Sequence, residues 1–382
     1  MHYFVYAKKD ATIYSGSGVD IDAKSILQQN TGIDPILELQ KQTKPNFSEN
    51  ITSRVLIQFD LTDFKTFIKN QIFPNFSSNV KYDLRLYEAD SKELQTTDTI
   101  YAYAVSQSWD MGVGQRFDSP FNTDGVTWNY KDVSGSGNWT TPGGDVDTTY
   151  EESSMIASQS FEYGTQDIKM DVSNIVYEWI EQAYIDGGYV DESYSSQDYP
   201  NYGLLLRRNS AAENDDTNYG NLNFFSRETS TIYVPKLEVK WDDSIWSTGS
   251  LTELSDEDIV INVRNMQPNY KETSKDRIRV FGRERYPSRT FAKKHEGLNV
   301  KYLPSGSSYY SVKDAHTDEI IIDFDDYTKL SCDSNGNYFN FWFNGLQPER
   351  FYKFCFKVVQ NKNTANENIR YFDNDDTFKV IR

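Results

Sequence analysis

The stretch YDLRLYE, residues 82–88, puts Tyr82, Leu84, Leu86 and Glu88 on one side of an extended chain and Asp83, Arg85 and Tyr87 on the other. A period of two with apolar residues on one face predicts a strand in a sheet with one wet side. Similar runs stand on either side: 3–6, 11–14, SRVLIQF at 53–59, 98–106, QDIKMD at 166–171, YGLLLRR at 202–208, LNFFSR at 222–227 and VPKLEVKW at 234–241. Aromatic residues make up 15% of the chain, with 27 Tyr and 23 Phe, and such side chains fit pleated, half-buried surfaces. The chain therefore reads as mainly β.

Two segments break the pattern. In DVSNIVYEWIEQAY, 171–184, Val172, Ile175, Val176, Trp179 and Ile180 form one apolar stripe at helical spacing, with Asp171 or Ser173 as cap and Gly187-Gly188 as stop. DLTDFKTFIKN, 60–70, repeats the spacing with Leu61, Phe64, Phe67 and Ile68. Both are expected to cover a sheet face. The polar, turn-rich stretches 189–201 and 209–221 read as loops.

A chain of 382 residues exceeds what one hydrophobic core usually supports. The composition shift at DDSIWSTGSLTELSDED, 242–258, divides it into a domain at 1–242, a linker at 243–256 and a domain at 257–382. In the last part, runs at 258–263, 277–283, 299–303, 308–314, 319–324, 338–343, 350–359 and 376–381, with no helical stripe, predict a β-sandwich.

The formal net charge of −18 repels phosphate backbones and anionic headgroups, so neither nucleic acid nor a membrane is an expected partner. The N-terminal stretch has no apolar core of a secretory signal, and no run approaches the roughly 20 residues that span a bilayer. Cys332 and Cys355 are too few for a disulfide framework; they are read as core thiols in a reduced compartment, with a single bridge between them left open.

No motif announces catalysis. The three histidines, His2, His295 and His316, lack ligand spacing, and GVGQRF at 112–117 lacks the strand-to-helix context of a nucleotide loop. Nothing singles out one carboxylate pair among 57 acidic residues. The expectation is a non-enzyme without cofactor or metal.

Two regions do resemble known families. GLQPERFY carries Leu346, Pro348 and Tyr352 in the Leu-x-Pro-x-x-x-Tyr spacing of the corner found in fibronectin type III and immunoglobulin-like sandwiches. The first 241 residues resemble the DNRLRE family, in order: KKDATIYSGS at 8–17, SRVLIQFDL at 53–61, YDLRLYEAD at 82–90, DGVTWN at 124–129 with NWTTPGGD at 138–145, DVSNIVYEWI at 171–180, YGLLLRR at 202–208 and NFFSRETSTIYVPKLEVKW at 223–241. The longer insertions at 18–50 and 185–221 depart from it. The resemblance implies a jelly-roll-like β-sandwich with one packed helix, followed by an immunoglobulin/fibronectin-III-like sandwich. Taken whole, and through 309–358 above all, the chain resembles virion structural proteins of tailed, T4-like marine phages. That implies a structural part of the tail, baseplate or neck, made in the host cytoplasm and partnered by copies of itself and other virion chains. A glycan-binding module of a host-recognition fibre is the alternative, and a glycan hydrolase the third.

Candidate contacts follow. The Gly-rich loop VTWNYKDVSGSGNWTTPGGDVD, 126–147, offers Trp128 and Trp139, either packed under the loop or presented to a sugar or a neighbouring chain. Gly143 and Gly144 would supply its special backbone angles. Its aspartates Asp124, Asp132, Asp145 and Asp147 suit Ca²⁺ by chemistry but lack a known spacing, and a solvated loop is the simpler reading. Arg54, Arg227 and Glu228 suggest cross-strand ion pairs. Arg277, Arg279, Arg283, Arg285 and Arg289 form a basic run that could meet the acidic 315–326 of another copy or remain solvated.

Overall fold

The computed structural model describes residues 1–18, 21–43, 50–73, 76, 80–132, 137–147, 155–162, 167–189, 199–254, 258–287 and 299–382. The chain is mainly β and divides into two compact units. The first holds Phe4–Ile72 and Val80–Val239; the second holds Met1–Tyr3, Phe73–Asn79 and Lys240–Arg382.

The strands lying wholly or mostly in the first unit are β1 (His2–Tyr14), β2 (Ile36–Thr43), β3 (Asn50–Phe59), β4 (Lys81–Leu86), β5 (Thr97–Ala104), β6 (Ile156–Glu162), β7 (Ile168–Asp171), β8 (Leu204–Arg207), β9 (Gly220–Phe225) and β10 (Lys236–Lys240). They join in one sheet of order β6-β5-β8-β3-β1-β10-β4-β7, with β2 bridging β3 and β9. Strand β3 has three neighbours: Asn50–Thr52 pair with β2, 53–59 with β1 and Val55–Ile57 with β8.

Tyr82, Leu84 and Leu86 are buried, as the alternation of β4 predicts. The opposite face is drier than expected. Asp83, Lys236 and Glu238 are also buried, Arg85 reaches from β4 to Glu238 on β10 at 2.7 Å, and the Lys236 ammonium lies over the Phe4 and Tyr87 rings. Charges survive there because each has a partner.

Helix α1 (Thr62–Lys69) and helix α2 (Ser173–Asp186) form where the apolar stripes predict them. Ile175, Val176, Trp179 and Ile180 are fully buried, and α2 packs on β4 and α1. Asp171 accepts the Ser173 N–H at 3.0 Å, Lys69 pairs with Asp186 at 2.7 Å, and the Tyr82 and Tyr184 hydroxyls bond at 2.6 Å. A third helix, α3 (Ser210–Asn214), replaces the loop expected at 209–221. Its start is set by Asn209, whose side chain accepts the Ala212 N–H at 2.8 Å.

Asp10 of β1 is a buried carboxyl: Oδ2 accepts the Arg227 N–H, and Oδ1 has no hydrogen-bond partner. Burial pushes its pKa up to about 7, opposed by Arg227. Because the folded state holds this proton more tightly than the unfolded chain, the group's contribution to stability is complete below about pH 4, falls through about pH 7 and is level above. Asp10→Asn is expected to remove this fall and raise stability at pH 8 by about 2 kcal/mol. Urea midpoints at pH 5 and pH 8 check it; equal pH dependence in both proteins contradicts it.

The second unit adds β11 (Thr252–Glu253), β12 (Ile259–Arg264), β13 (Asn269–Lys271), β14 (Lys275–Glu284), β15 (Lys301–Tyr302), β16 (Ser308–Asp314), β17 (Ile320–Ile322), β18 (Ser331–Asp333), β19 (Gly336–Trp342), β20 (Phe351–Gln360) and β21 (Asn368–Ile381). One sheet runs β11-β15-β14-β19-β18 with β12 on β14; the other runs β13-β21-β20-β16-β17. Aromatic rings from both meet between them. Tyr310 stacks on Phe339 at 4.2 Å, and Phe354 contacts Phe339, Phe341 and Phe378 at 5.1, 5.4 and 4.8 Å. Burying each such ring contributes about 1.5–3 kcal/mol.

The stretch 243–254, expected as linker, carries pairing of this unit. Cys332 N–H donates to the Ile245 carbonyl, Ser247 N–H to the Cys332 carbonyl, and Leu254, fully buried, donates to Tyr302. Two early segments join the same unit: Phe73 and Phe76 pack on Trp241 at 5.0 and 5.2 Å, and Tyr3 packs on Trp342 at 5.5 Å.

Before β20 the chain makes the predicted corner. Leu346 and Tyr352 are buried, and the Tyr352 hydroxyl donates to the Gln347 carbonyl at 3.1 Å, five residues upstream. Tyr352→Phe keeps the ring and loses the bond, so a stability loss of about 1 kcal/mol is expected in urea unfolding. A loss under roughly 0.3 kcal/mol would mean that the corner is held by packing alone.

Candidate functional site

The loop between β5 and β6 lies against the first unit's sheet. Trp109, Val126 and Trp139 join Ala11, Ile13, Leu56 and Leu205 in one buried cluster. Trp139 is only 4% exposed, and its indole N–H donates to the Thr127 carbonyl at 3.0 Å. Trp128 is half-buried, with the Arg54 guanidinium 4.7 Å from its ring. Trp139 is thus packed under the loop, and Trp128 lies against Arg54 with part of its ring open.

Arg54 is the hub of these contacts. Its Nε and Nη2 donate to the two Glu213 oxygens at 3.0 and 2.6 Å, and its Nη1 donates to the Gly143 carbonyl at 2.7 Å. Gly143 has φ +96°, and a Cβ there would sit 2.6 Å from the Arg54 Nη1 and 2.8 Å from the Trp128 ring. Both backbone sign and space demand glycine.

Asp145 closes the loop. Its oxygens accept the N–H groups of Thr140 and Thr141 at 2.6 and 2.7 Å and the Gln107 amide at 2.6 Å. Among the described residues no group of three or more His, Cys, Asp or Glu side chains could hold a metal ion.

The expected Arg–Glu pairs form with other partners. Arg54 meets Glu213 of α3, while Arg227 and Glu228 pair with each other at 3.0 Å instead of across strands. Sequence reasoning missed Glu213, the β4–β10 pair Arg85–Glu238, and Arg208, which is buried and donates to Asp98 at 2.7 Å. Glu213 lies in a stretch whose polarity reads as loop, so no local signal marked it.

The basic run is likewise engaged within its own chain. Arg279 makes two bonds of 2.7 Å to Asp333, Arg277 lies 4.3 Å over the Tyr338 ring, Arg283 donates to the Glu284 carbonyl, and Arg285 pairs with Asp258 at 3.1 Å. Arg289 and His295 lie outside the described residues. The acidic 315–326 is also engaged: Asp318 pairs with Lys353 at 2.7 Å, and Asp326 with Lys329 at 3.4 Å. His2 is buried 3.5 Å from Asp325, and the His316 ring meets Phe351 edge-on. Both cysteines are free; burial first of all pushes Cys332 up to about 11 and Cys355 up to about 12, so neither is a ready nucleophile.

The outer face of the five-stranded sheet gathers several exposed apolar side chains. Ile320, Phe351, Ile369 and Tyr371 are 50, 41, 46 and 65% exposed. The ladder registers place them beside lysines: Ile320 opposite Lys313, Phe351 opposite Lys379, and Tyr371 opposite Lys357, which in turn faces Tyr309. Alternation along β20 sends Tyr352, Phe354 and Phe356 inward and leaves this row outside. Apolar side chains gathered on one open face mark a binding surface more often than a solvated one.

The protein is mainly β and has two units, and the outer face of its five-stranded sheet carries exposed apolar and lysine side chains. In comparisons with known proteins, no protein-family model matches the chain and no curated protein matches it. Among the described residues no helix is long and apolar enough to cross a membrane.

Proposed function

We propose that the chain is a non-enzymatic structural component of a tailed-phage virion, in the tail, baseplate or neck. It works through contacts with other virion chains and with copies of itself. The observation that carries the reading is the aromatic and lysine-bearing outer face of the β13-β21-β20-β16-β17 sheet.

Charge favours a copy of this chain as one partner. Residues 1–239 hold 35 acidic against 18 basic side chains, whereas residues 240–382 hold 22 against 21. A lysine-bearing face of one molecule and the acidic first unit of the next are complementary, and such fields orient encounter more than they tighten binding. Contact between two different surfaces is head-to-tail, the geometry that builds rings or filaments. The resemblance to phage structural proteins points the same way.

Cryo-electron microscopy of the phage particle tests this. The expected result is a fixed copy number of this chain, with interfaces burying roughly 1,200–2,000 Å² or more. Purified particles that lack the chain would overturn the reading.

A further inference from the structure

Strand β21, 14 residues long, is a sheet edge over most of its length. On one side it pairs with β20, and on the other β13 covers only Lys379–Ile381. Among the described residues no strand pairs with 368–376 on that second side.

The ladder fixes which backbone groups are open. The Val359 N–H donates to the Ser307 carbonyl and the Ala315 N–H to the Phe351 carbonyl, so odd-numbered residues of β20 turn their backbone groups toward β16 and even-numbered ones toward β21. The register sets Gln360, Val358 and Phe356 opposite Asn368, Arg370 and Phe372. Alternation then points the N–H and C=O of Ile369, Tyr371 and Asp373 away from β20. Among the described residues no backbone hydrogen bond reaches them. Lys379, further along, spends its outward N–H on the Pro268 carbonyl at the start of β13, so this edge already accepts one strand.

The side chains of the row do not turn it inward. Ile369 and Tyr371 are largely exposed, as is Asp373. An open row of backbone donors and acceptors flanked by apolar side chains is a template for a further strand.

The row is its own complement. Laid antiparallel on itself and centred on Tyr371, it sets Ile369 against Asp373, Tyr371 against Tyr371 and Asp373 against Ile369, the one register that matches every outward residue with an outward residue. Arg370 then falls opposite Phe372, and within 369–373 no like charges meet. Centring on Arg370 would oppose two arginines, and centring on Asp373 two aspartates. We propose that two copies of this chain join edge to edge through Ile369–Asp373, antiparallel about a two-fold axis at Tyr371, so that the five-stranded sheet continues from one copy into the other. Three opposed pairs with two bonds each give about six hydrogen bonds. The contact is the same patch on both copies. It is made by backbone groups of the strand edge, so it adds to the assembly reading without resting on it.

Single cysteines in the full chain read this register. A hydrogen-bonded antiparallel pair holds its Cα atoms about 5.5 Å apart, within the range of roughly 4.4–6.8 Å that a disulfide bridges. The thiol of Tyr371→Cys would face its own copy, whereas the two thiols of Ile369→Cys would stand about 14 Å apart along the strand. Under a mild copper oxidant, Tyr371→Cys is expected to form a disulfide-linked dimer at least about tenfold faster than Ile369→Cys, the native Cys332 and Cys355 being buried. Adding Ile369→Pro to Tyr371→Cys removes an N–H that faces away from β20, and is expected to keep the urea midpoint near that of wild type while slowing the crosslink about tenfold. Equal crosslinking at 371 and 369, no crosslinked dimer, or a crosslink unchanged by the proline in a folded chain would each overturn the proposal, and the first comparison decides it without the proline variant.

Discussion

Replacing Arg54 with alanine is expected to destabilise the protein by about 3–5 kcal/mol, because the substitution strands the Glu213 carboxylate in a buried site. Arg54 and Glu213 side chains are 11 and 7% exposed, and water cannot readily take the place of either partner. Arg207, 3.7 Å from the same carboxylate, compensates only in part. The substitution also removes the donor to the Gly143 carbonyl, loosening the loop that covers Ile13, Leu56 and Leu205. The double variant Arg54→Met, Glu213→Leu is expected to recover most of the loss, since an apolar pair leaves no orphaned charge. Urea unfolding reads both, and a loss below about 1 kcal/mol in the single variant would show that this ion pair is solvated in practice.

In the second unit, Phe354→Ala is expected to cost about 3–5 kcal/mol. Phe354 is fully buried, and removing its ring opens a cavity among Phe339, Phe341 and Phe378, rings held by both sheets. Phe351, three residues earlier on the same strand, points outward at 41% exposure, and its replacement by alanine is expected to change stability by no more than about 0.5 kcal/mol. The contrast separates the core side from the outer side within one strand. Similar losses at both positions, measured by urea midpoints, would mean that the assignment of faces on β20 is wrong.

Much of the fold is local in origin and so could be read from the chain. The alternation at 82–88, the stripes of α1 and α2, and the Leu346–Tyr352 corner each encode a face or a turn within a few residues. Partners across the fold carry no such mark. Nothing near Phe73 and Phe76 announces Trp241, more than 160 positions later, yet these rings pack together. The arginine run reads as a free patch because the side chains that neutralise it, Asp258 and Asp333, lie outside it in sequence. The aromatic loop could be read as packed, but which ring stays out could not: Trp139 is buried, while Phe117 in a stretch dismissed as a weak nucleotide motif is open to solvent. Exposure depends on what the backbone brings overhead.

Light scattering of the purified chain at low and at high salt, alongside the variant Lys357→Glu with Tyr371→Ala, bears most directly on assembly through the outer sheet face. Wild-type protein is expected to form a defined multimer at low salt that weakens as salt screens the lysines, and the variant is expected to stay monomeric under both conditions. A wild-type chain that remains monomeric at every concentration and salt, or a variant that assembles like wild type, would contradict a role for that face.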